Sequence, residues 1–420
     1  MKYWLALLPL LLPLAWSLPA LAQCTVEPLP RSSRSLAHWI DQDNWLAPEN
    51  LRFGLQSAGS FMPLVKLAGR AAAPLPAPLP RQIDLDKIRT IDPLDQQKRT
   101  VGFLLESRLY ADGLLVLRDG KVFGERYWNG LAAQQPRLLL GATRPLLSLL
   151  GAIAVAQGKL APDRSVLRYI PALGAQTGLR KLSMRRLIAG ESSFEWSPQE
   201  LADWQAAGGW TSGGQTGGIR GWLSQSGRWD RNSAAEPLFG VAGPEGELLA
   251  WALAESYRLP LARIFCDELF GRLRSENAAL WLTDAQGTEL STGLALSLRD
   301  FARLGQLLIE ARNSSGRSRI PRWFIETLTA SAGLRTAEAT ELAGLKKGSE
   351  FRYGFVHLGG TANRIAILGP YGNSLYVDLD RRLVIAIFAA YPRNQSAGMR
   401  ATLEQVWDTL GAATQPGGRR

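Results

Sequence analysis

Apolar residues dominate the stretch 141–166, which opens Gly-Ala-Thr-Arg-Pro and closes Gly158-Lys159-Leu160-Ala161-Pro162-Asp163. The pattern predicts one helix, with Pro145 in its first turn and Gly158 just past its last. Because it is apolar on nearly every face, this helix belongs in the middle of a domain, with the rest of the chain packed around it. Before it, residues 23–100 show little periodicity, and Pro alternates with Ala and Leu over 71–80. That segment reads as an extended, Pro-stiffened arm. From 111 the pattern changes to two apolar runs on either side of Arg118-Asp119-Gly120-Lys121, which predicts a hairpin with a tight primed turn.

After the central helix, helical periods run over 182–190, 197–207, 245–257, 259–270 and 297–310. Strands return at 353–358, 364–368, 373–377 and 383–390, with an Asp-rich turn at 378–382, and a helix over 397–410 closes the chain. Two groups of strands far apart in sequence predict an α/β (α+β) fold: an antiparallel sheet flanked by helices, joined to an all-helical lobe. The expected divisions are a signal peptide over 1–22, the arm over 23–100, a sheet lobe made of 101–164 with 310–412, a helical lobe over 165–309, and a tail over 413–420.

With 46% hydrophobic residues in 420, the chain is long and apolar enough for a large core, which argues against disorder. Lys2 followed by an apolar run to Ala22 predicts a secretory signal cleaved after Ala22, hence a secreted protein facing the bacterial periplasm. Pro9, Pro13 and Pro19 argue against a membrane anchor, and Gln23 argues against a lipoprotein at Cys24. A net charge of +11 favours anionic partners such as cell-wall polymers or lipid headgroups, with peripheral membrane contact among the expectations. No dense basic run appears, so a merely soluble Arg-rich surface is the simpler reading, and no nucleic-acid partner is expected. Cys24 and Cys266 could pair in an oxidising compartment, yet the amphipathic pattern around Cys266 reads as a buried free thiol. Neither arrangement implies a metal site. The Gly-rich interval 208–221 lacks a strand-loop-helix setting for phosphates and reads as a flexible cleft-edge loop, so no cofactor is expected.

The central stretch resembles the serine β-lactamase and penicillin-binding superfamily, most closely its class C-like esterase and 6-aminohexanoate-dimer hydrolase branch. In those relatives a helix beginning Ser-x-x-Lys runs to a Gly-Lys-Leu-x-Pro-Asp turn, and 158–163 reproduces that turn. Counting back places Gly141 in the Ser slot and Arg144 in the Lys slot. The resemblance extends to Asn44-Trp45 and 79–86 in the arm, to the hairpin from 111, to Thr292-Gly293 with the helix after it, and to Gly369-Pro370-Tyr371-Gly372-Asn373 beside the implied cleft.

An acyl-enzyme hydrolase of this kind needs an exposed hydroxyl at the helix N-terminus, a base to take its proton, and an oxyanion hole. Gly141 offers no nucleophile, and the Arg144 guanidinium stays protonated at any working pH. The resemblance places Val241 in the slot of the family's Tyr, and Val241 has no hydroxyl. No Ser-x-x-Lys occurs anywhere in the chain. A displaced nucleophile would have to be Thr143, Ser148, Ser192 or Ser193, the last two in a loop, and none has a base nearby in sequence. His38 and His357 read as structural, the pairs Asp84/Asp86 and Asp378/Asp380 as turns, and Tyr127-Trp-Asn129 as a chance Tyr-x-Asn.

The expectation is therefore an inactive β-lactamase-like protein that keeps its cleft for binding or scaffolding in the envelope. Arg144 would anchor an anionic group, with Thr143, Ser148, Tyr371, Gly372 and Asn373 around it and cell-wall peptide or glycan as the ligand class. Two other roles stay open: an amide or ester hydrolase with a relocated nucleophile, and a structural partner of an active paralogue.

Overall fold

Within strand Ala111–Arg118 the residues Leu114 to Leu117 form an unbroken apolar run because their side chains alternate between two cores. Leu115 and Leu117 share one core with Phe301 and Phe388, while Leu114 and Val116 share the other with Ile385 and Trp407. In the computed structural model, which describes residues 24–29, 39–69, 75, 82–214, 217–231, 233–239, 243–314, 318–330, 342–360, 363–392 and 396–415, this strand lies within a seven-stranded antiparallel sheet. The sheet order is Lys121–Tyr127, Ala111–Arg118, Leu383–Ala389, Ser374–Asp378, Arg364–Leu368, Phe355–His357 and Glu350–Arg352. Helix Leu298–Asn313 covers one face, with Phe301 stacked on Phe388, and helix Ala397–Ala413 covers the other, with Trp407 stacked on Tyr376.

The predicted hairpin forms, and Asp119 and Gly120 both take positive φ at its turn, 51° and 72°. Where a single strand was expected over 353–358, the chain makes a second tight hairpin, because Tyr353 and Gly354 both adopt positive φ. The helices predicted by period occur as Met184–Ala189, Pro198–Gly208, Pro244–Tyr257, Leu261–Glu268, Leu298–Asn313 and Ala397–Ala413. Central helix Arg144–Ala156 is buried along most of its length and packs against the Met184–Ala189, Pro244–Tyr257 and Leu261–Glu268 helices. Among the described residues no helix is long and apolar enough to cross a membrane.

Three expectations are corrected. The segment 23–100 is more than an arm: strands Thr25–Leu29 and Leu64–Ala68 belong to a second, five-stranded sheet with Ala279–Thr283, Glu289–Leu296 and Arg137–Leu138. Residues 165–309 are accordingly not all helical. Ala279–Thr283 and Glu289–Leu296 are nearly fully buried, and Ala279–Thr283, a continuous apolar run up to Thr283, lacks the polar alternation by which a strand is recognised from sequence. Ser192 and Ser193 lie in strand Glu191–Phe194, paired with Ser233–Phe239, rather than in a loop.

Cys266 is not a free thiol. It forms a disulfide with Cys24, 242 residues away and 5.7 Å between Cα atoms. The pairing depends on strand Thr25–Leu29 running past helix Leu261–Glu268, a placement that no local pattern announces. The expected signal peptide, His38, Val241 and most of the Pro-rich stretch 71–80 lie outside the described residues.

Candidate functional site

The central helix is entered through a short 3-10 turn, Leu140–Thr143, whose first residue holds φ 52° although it carries a side chain. That left-handed conformation costs on the order of 1–3 kcal/mol and persists only where its surroundings enforce it. Here Leu139 N–H donates to the Leu294 carbonyl at 2.8 Å on one side, and the buried helix follows on the other. The turn presents Leu140 and Gly141 to a cleft of about 410 Å³.

The adjoining wall is the Pro370–Gly372 turn, which packs against the Leu140–Thr143 turn and in which Tyr371 also has a positive φ, 59°. Gly369 and Gly372 are glycine for reasons of space. A Cβ on Gly369 would lie 2.9 Å from that of Ala142, and one on Gly372 would lie 2.4 Å from the Tyr391 ring while also straining a φ of 95°. Asn373 fastens the turn from behind: its amide Nδ2 donates to the Leu138 carbonyl at 3.0 Å, and its Oδ1 accepts from Ala389 N–H at 3.4 Å.

The remaining walls come from Thr292, from Trp204 and Gln205, from Trp210 and Thr211, and from residues 42–47 of the N-terminal segment. That last segment is clamped to the 209–212 loop. Gln42 Nε2 donates to the Gly209 carbonyl, Trp45 Nε1 donates to the Trp210 carbonyl at 3.0 Å, and Ser212 donates to Asp43 from both its N–H and its hydroxyl. The two bonds from Ser212 hold the Asp43 carboxyl below its ordinary pKa. Trp45 is sandwiched between Phe61 and Trp210, with ring centroids 4.9 and 6.0 Å away.

Of the residues singled out from sequence, Gly141 and Tyr371 line the cleft, and the Gly-rich loop forms its edge through Trp210 and Thr211. Arg144 does not anchor this cleft. Its side chain is 4% exposed, donating to Ser148 Oγ at 3.2 Å and to the Leu187 carbonyl at 2.5 Å. The reason is local: Leu187 sits in the last turn of helix Met184–Ala189, whose end presents carbonyls and negative dipole to a cation. Burial pushes the guanidinium down to about 10, against the opposing pull of Glu245, so it remains charged at neutral pH. Thr143 and Ser148 are fully buried, and the Thr143 hydroxyl has no hydrogen-bond partner among the described residues. Gly372 and Asn373 are buried behind Tyr371 rather than presented to a ligand.

Sequence reasoning missed Trp204, Thr292 and the wall at 42–47. The Asn44-Trp45 pair did carry a signal, through its resemblance to the arm of known relatives, but nothing local told which surface it would meet.

Behind the cleft, Glu247 on helix Pro244–Tyr257 is buried and accepts from Ser291 N–H at 2.9 Å and Ser291 Oγ at 2.7 Å. Burial outweighs these two bonds and pushes its carboxyl from 4.5 up to about 7. The folded state therefore holds a proton that the unfolded state has released, and stability falls as pH rises from about 4.5 to about 7. At roughly 1.4 kcal/mol per unit the effect is on the order of 3 kcal/mol. Urea unfolding at pH 5 and pH 8 should show Glu247→Gln lacking this part of the decline; an unchanged pH slope in the variant would refute the assignment.

No family model matches the chain. It is 22% identical over 360 residues to the 6-aminohexanoate-dimer hydrolase of Paenarthrobacter ureafaciens, an alignment that spans 83% of this chain and 88% of that protein. The structure superposes on a Bacillus anthracis protein provisionally assigned as a 6-aminohexanoate-dimer hydrolase, with a TM-score of 0.73 and 18% identity, covering 90% of this chain and 97% of that one. A class C β-lactamase also superposes, with a TM-score of 0.54 and 13% identity, over 75% of this chain and 94% of the other. The chain is thus a homologue of 6-aminohexanoate-dimer hydrolase built on the fold of the β-lactamase-related serine hydrolases.

Proposed function

We propose that this protein is a catalytically inactive relative of the serine hydrolases, exported to the bacterial envelope, where its cleft binds a cell-wall peptide or glycan in a binding or scaffolding role. The observation that carries this reading is Gly141 at the entry of the central helix, open to the cleft and without a hydroxyl. The cleft's own hydroxyls belong to Thr211, Thr292 and Tyr371, and among its described lining residues there is no Lys or His to take a proton from them. Arg144 faces away and stays charged, and Val241 offers no phenol. Of the four candidates for a displaced nucleophile, Thr143 and Ser148 are sealed in the interior, and Ser192 and Ser193 are not among the described residues that line the cleft.

The ligand class follows from the lining. Trp204, Trp210 and Tyr371 supply aromatic surface, Gln42, Gln205 and Thr292 supply polar groups, and Asp43 supplies the one carboxylate with no Lys or Arg among the described lining residues. Such a cleft suits sugar rings and uncharged or cationic peptide groups better than the anion that Arg144 would have held. The Cys24–Cys266 disulfide supports an oxidising compartment.

Intact-mass analysis after incubation with a reactive penicillin, and separately with a fluorophosphonate, should show no adduct on the folded protein. A stoichiometric adduct mapping to Thr211, Thr292 or Tyr371 would overturn the inactive reading. Titration with an amidated muramyl dipeptide, which carries no carboxylate, should give a saturable change in tryptophan fluorescence that Trp210→Ala diminishes; no saturable change up to millimolar ligand would dismiss the ligand class.

A further inference from the structure

We infer that the surface formed by residues 159–186 docks this protein onto an anionic phospholipid bilayer. The segment carries seven Lys and Arg residues against one carboxylate, Asp163, so its net +6 is more than half of the chain's +11. The fold gathers these charges rather than spreading them. Val166 N–H donates to the Leu182 carbonyl at 2.9 Å, Met184 N–H to the Arg164 carbonyl at 2.9 Å, and Arg185 N–H to the Pro162 carbonyl at 2.7 Å, which lays the start of the segment beside its end. The turn Val166–Arg168 packs on the turn Thr177–Lys181, bringing Arg168, Arg180 and Lys181 to the same region.

Arg164, Arg168, Arg180, Lys181 and Arg185 are all exposed. Only Arg185 is paired, with Asp163 at 2.8 Å; the other four make no ion pair among the described residues. Asp230 on the neighbouring helix Arg228–Arg231 accepts at Oδ1 from Thr177 and Gly178, and its charge offsets part of that of Arg180 without an ion pair between them among the described residues. Elsewhere arginines are commonly matched to carboxylates, as Arg108 is to Asp92 and Asp95 and Arg299 to Glu125 and Glu276. A concentration of unmatched like charge raises the energy of the folded protein unless an external anion relieves it.

The form of the patch indicates what that anion is. The cations ride on single turns and connecting loops. Tyr169, the aromatic residue among them, is half-buried, and its hydroxyl accepts from Ala161 N–H at 2.6 Å. Without aromatic faces between the charges there is no platform for stacking bases, so a nucleic-acid strand is disfavoured. Delocalised attraction to a sheet of headgroup phosphates remains, to which each surface cation adds a comparable increment.

The test is co-sedimentation of the full-length mature protein with vesicles of phosphatidylcholine alone and of phosphatidylcholine mixed with phosphatidylglycerol, in low and high salt. Binding is expected only to the mixed vesicles, and high salt should abolish it. A triple variant, Arg164→Glu, Arg168→Glu and Lys181→Glu, should lose roughly tenfold or more in partition. A control with the same change in net charge, Lys98→Glu, Lys121→Glu and Lys347→Glu, should stay within about twofold of the parent. Circular dichroism verifies that both variants are folded. No binding to mixed vesicles, or equal losses in the two triple variants, would overturn the proposal, the second by reducing the effect to net charge.

Discussion

Arg144→Ala should lose about 3–5 kcal/mol of unfolding free energy, the usual consequence of breaking a buried charged network by removing one partner. The guanidinium spans from the central helix to the end of helix Met184–Ala189, satisfying the Leu187 carbonyl and bonding Ser148, with Glu245 as its opposing charge. Alanine leaves that carbonyl without its charged donor, removes the attraction between the guanidinium and Glu245, and opens a void beside the buried central helix. Arg144→Lys should fall in between, since one ammonium on a shorter stem cannot reach both acceptors in the guanidinium's planar geometry. Urea titrations of the three proteins, read at a common slope, decide the matter. A loss below about 1 kcal/mol for alanine would mean that the guanidinium does not brace the two helices. Because Arg144 faces away from the cleft, a mild variant that still folds should retain the parent's affinity for the amidated muramyl dipeptide.

Replacing both Cys24 and Cys266 by Ser should cost about 2–5 kcal/mol, near the upper end of what disulfides supply, because the loop they close is 242 residues long. In the chain-entropy picture the bond acts on the unfolded state by holding two distant points together. In the folded state it ties the first strand of the five-stranded sheet to helix Leu261–Glu268. Denaturant midpoints of parent and double variant give the difference directly. Thiol titration of the unfolded parent should find no free thiol; two free thiols in protein purified from an oxidising compartment would remove the pairing and the predicted loss together.

The elements most legible in the sequence were those whose burial is one-sided or whose ends carry their own signals. Asp119-Gly120 announced its hairpin, and Ser197 with Glu200 forms the capping box that starts helix Pro198–Gly208. Ala279–Thr283 is hard to tell from a buried helical stretch because near-complete burial erases alternation. For the site, identity was readable and direction was not. That Gly141 and Arg144 stand in the Ser and Lys slots came from the register of the helix, whereas the outward face of one and the inward turn of the other depend on the carbonyl of Leu187, supplied by a different helix. Asn373 likewise sits within a motif beside the cleft, but its amide is committed to Leu138 and Ala389. Trp45 and Trp210 meet across 165 residues, a separation at which no spacing rule operates.

The pairing of Ala111–Arg118 with Leu383–Ala389 also governs when this protein is able to fold. The middle of the large sheet cannot close until residues 383–389 have left the ribosome, and until then the strand at 111 presents an apolar edge with no neighbour on that side. Such a distant pairing makes for a high contact order and slow closure. Through the synthesis of the residues between these two strands the nascent chain stays in a loose, unlocked form, vulnerable to self-association yet still able to be threaded through a narrow pore.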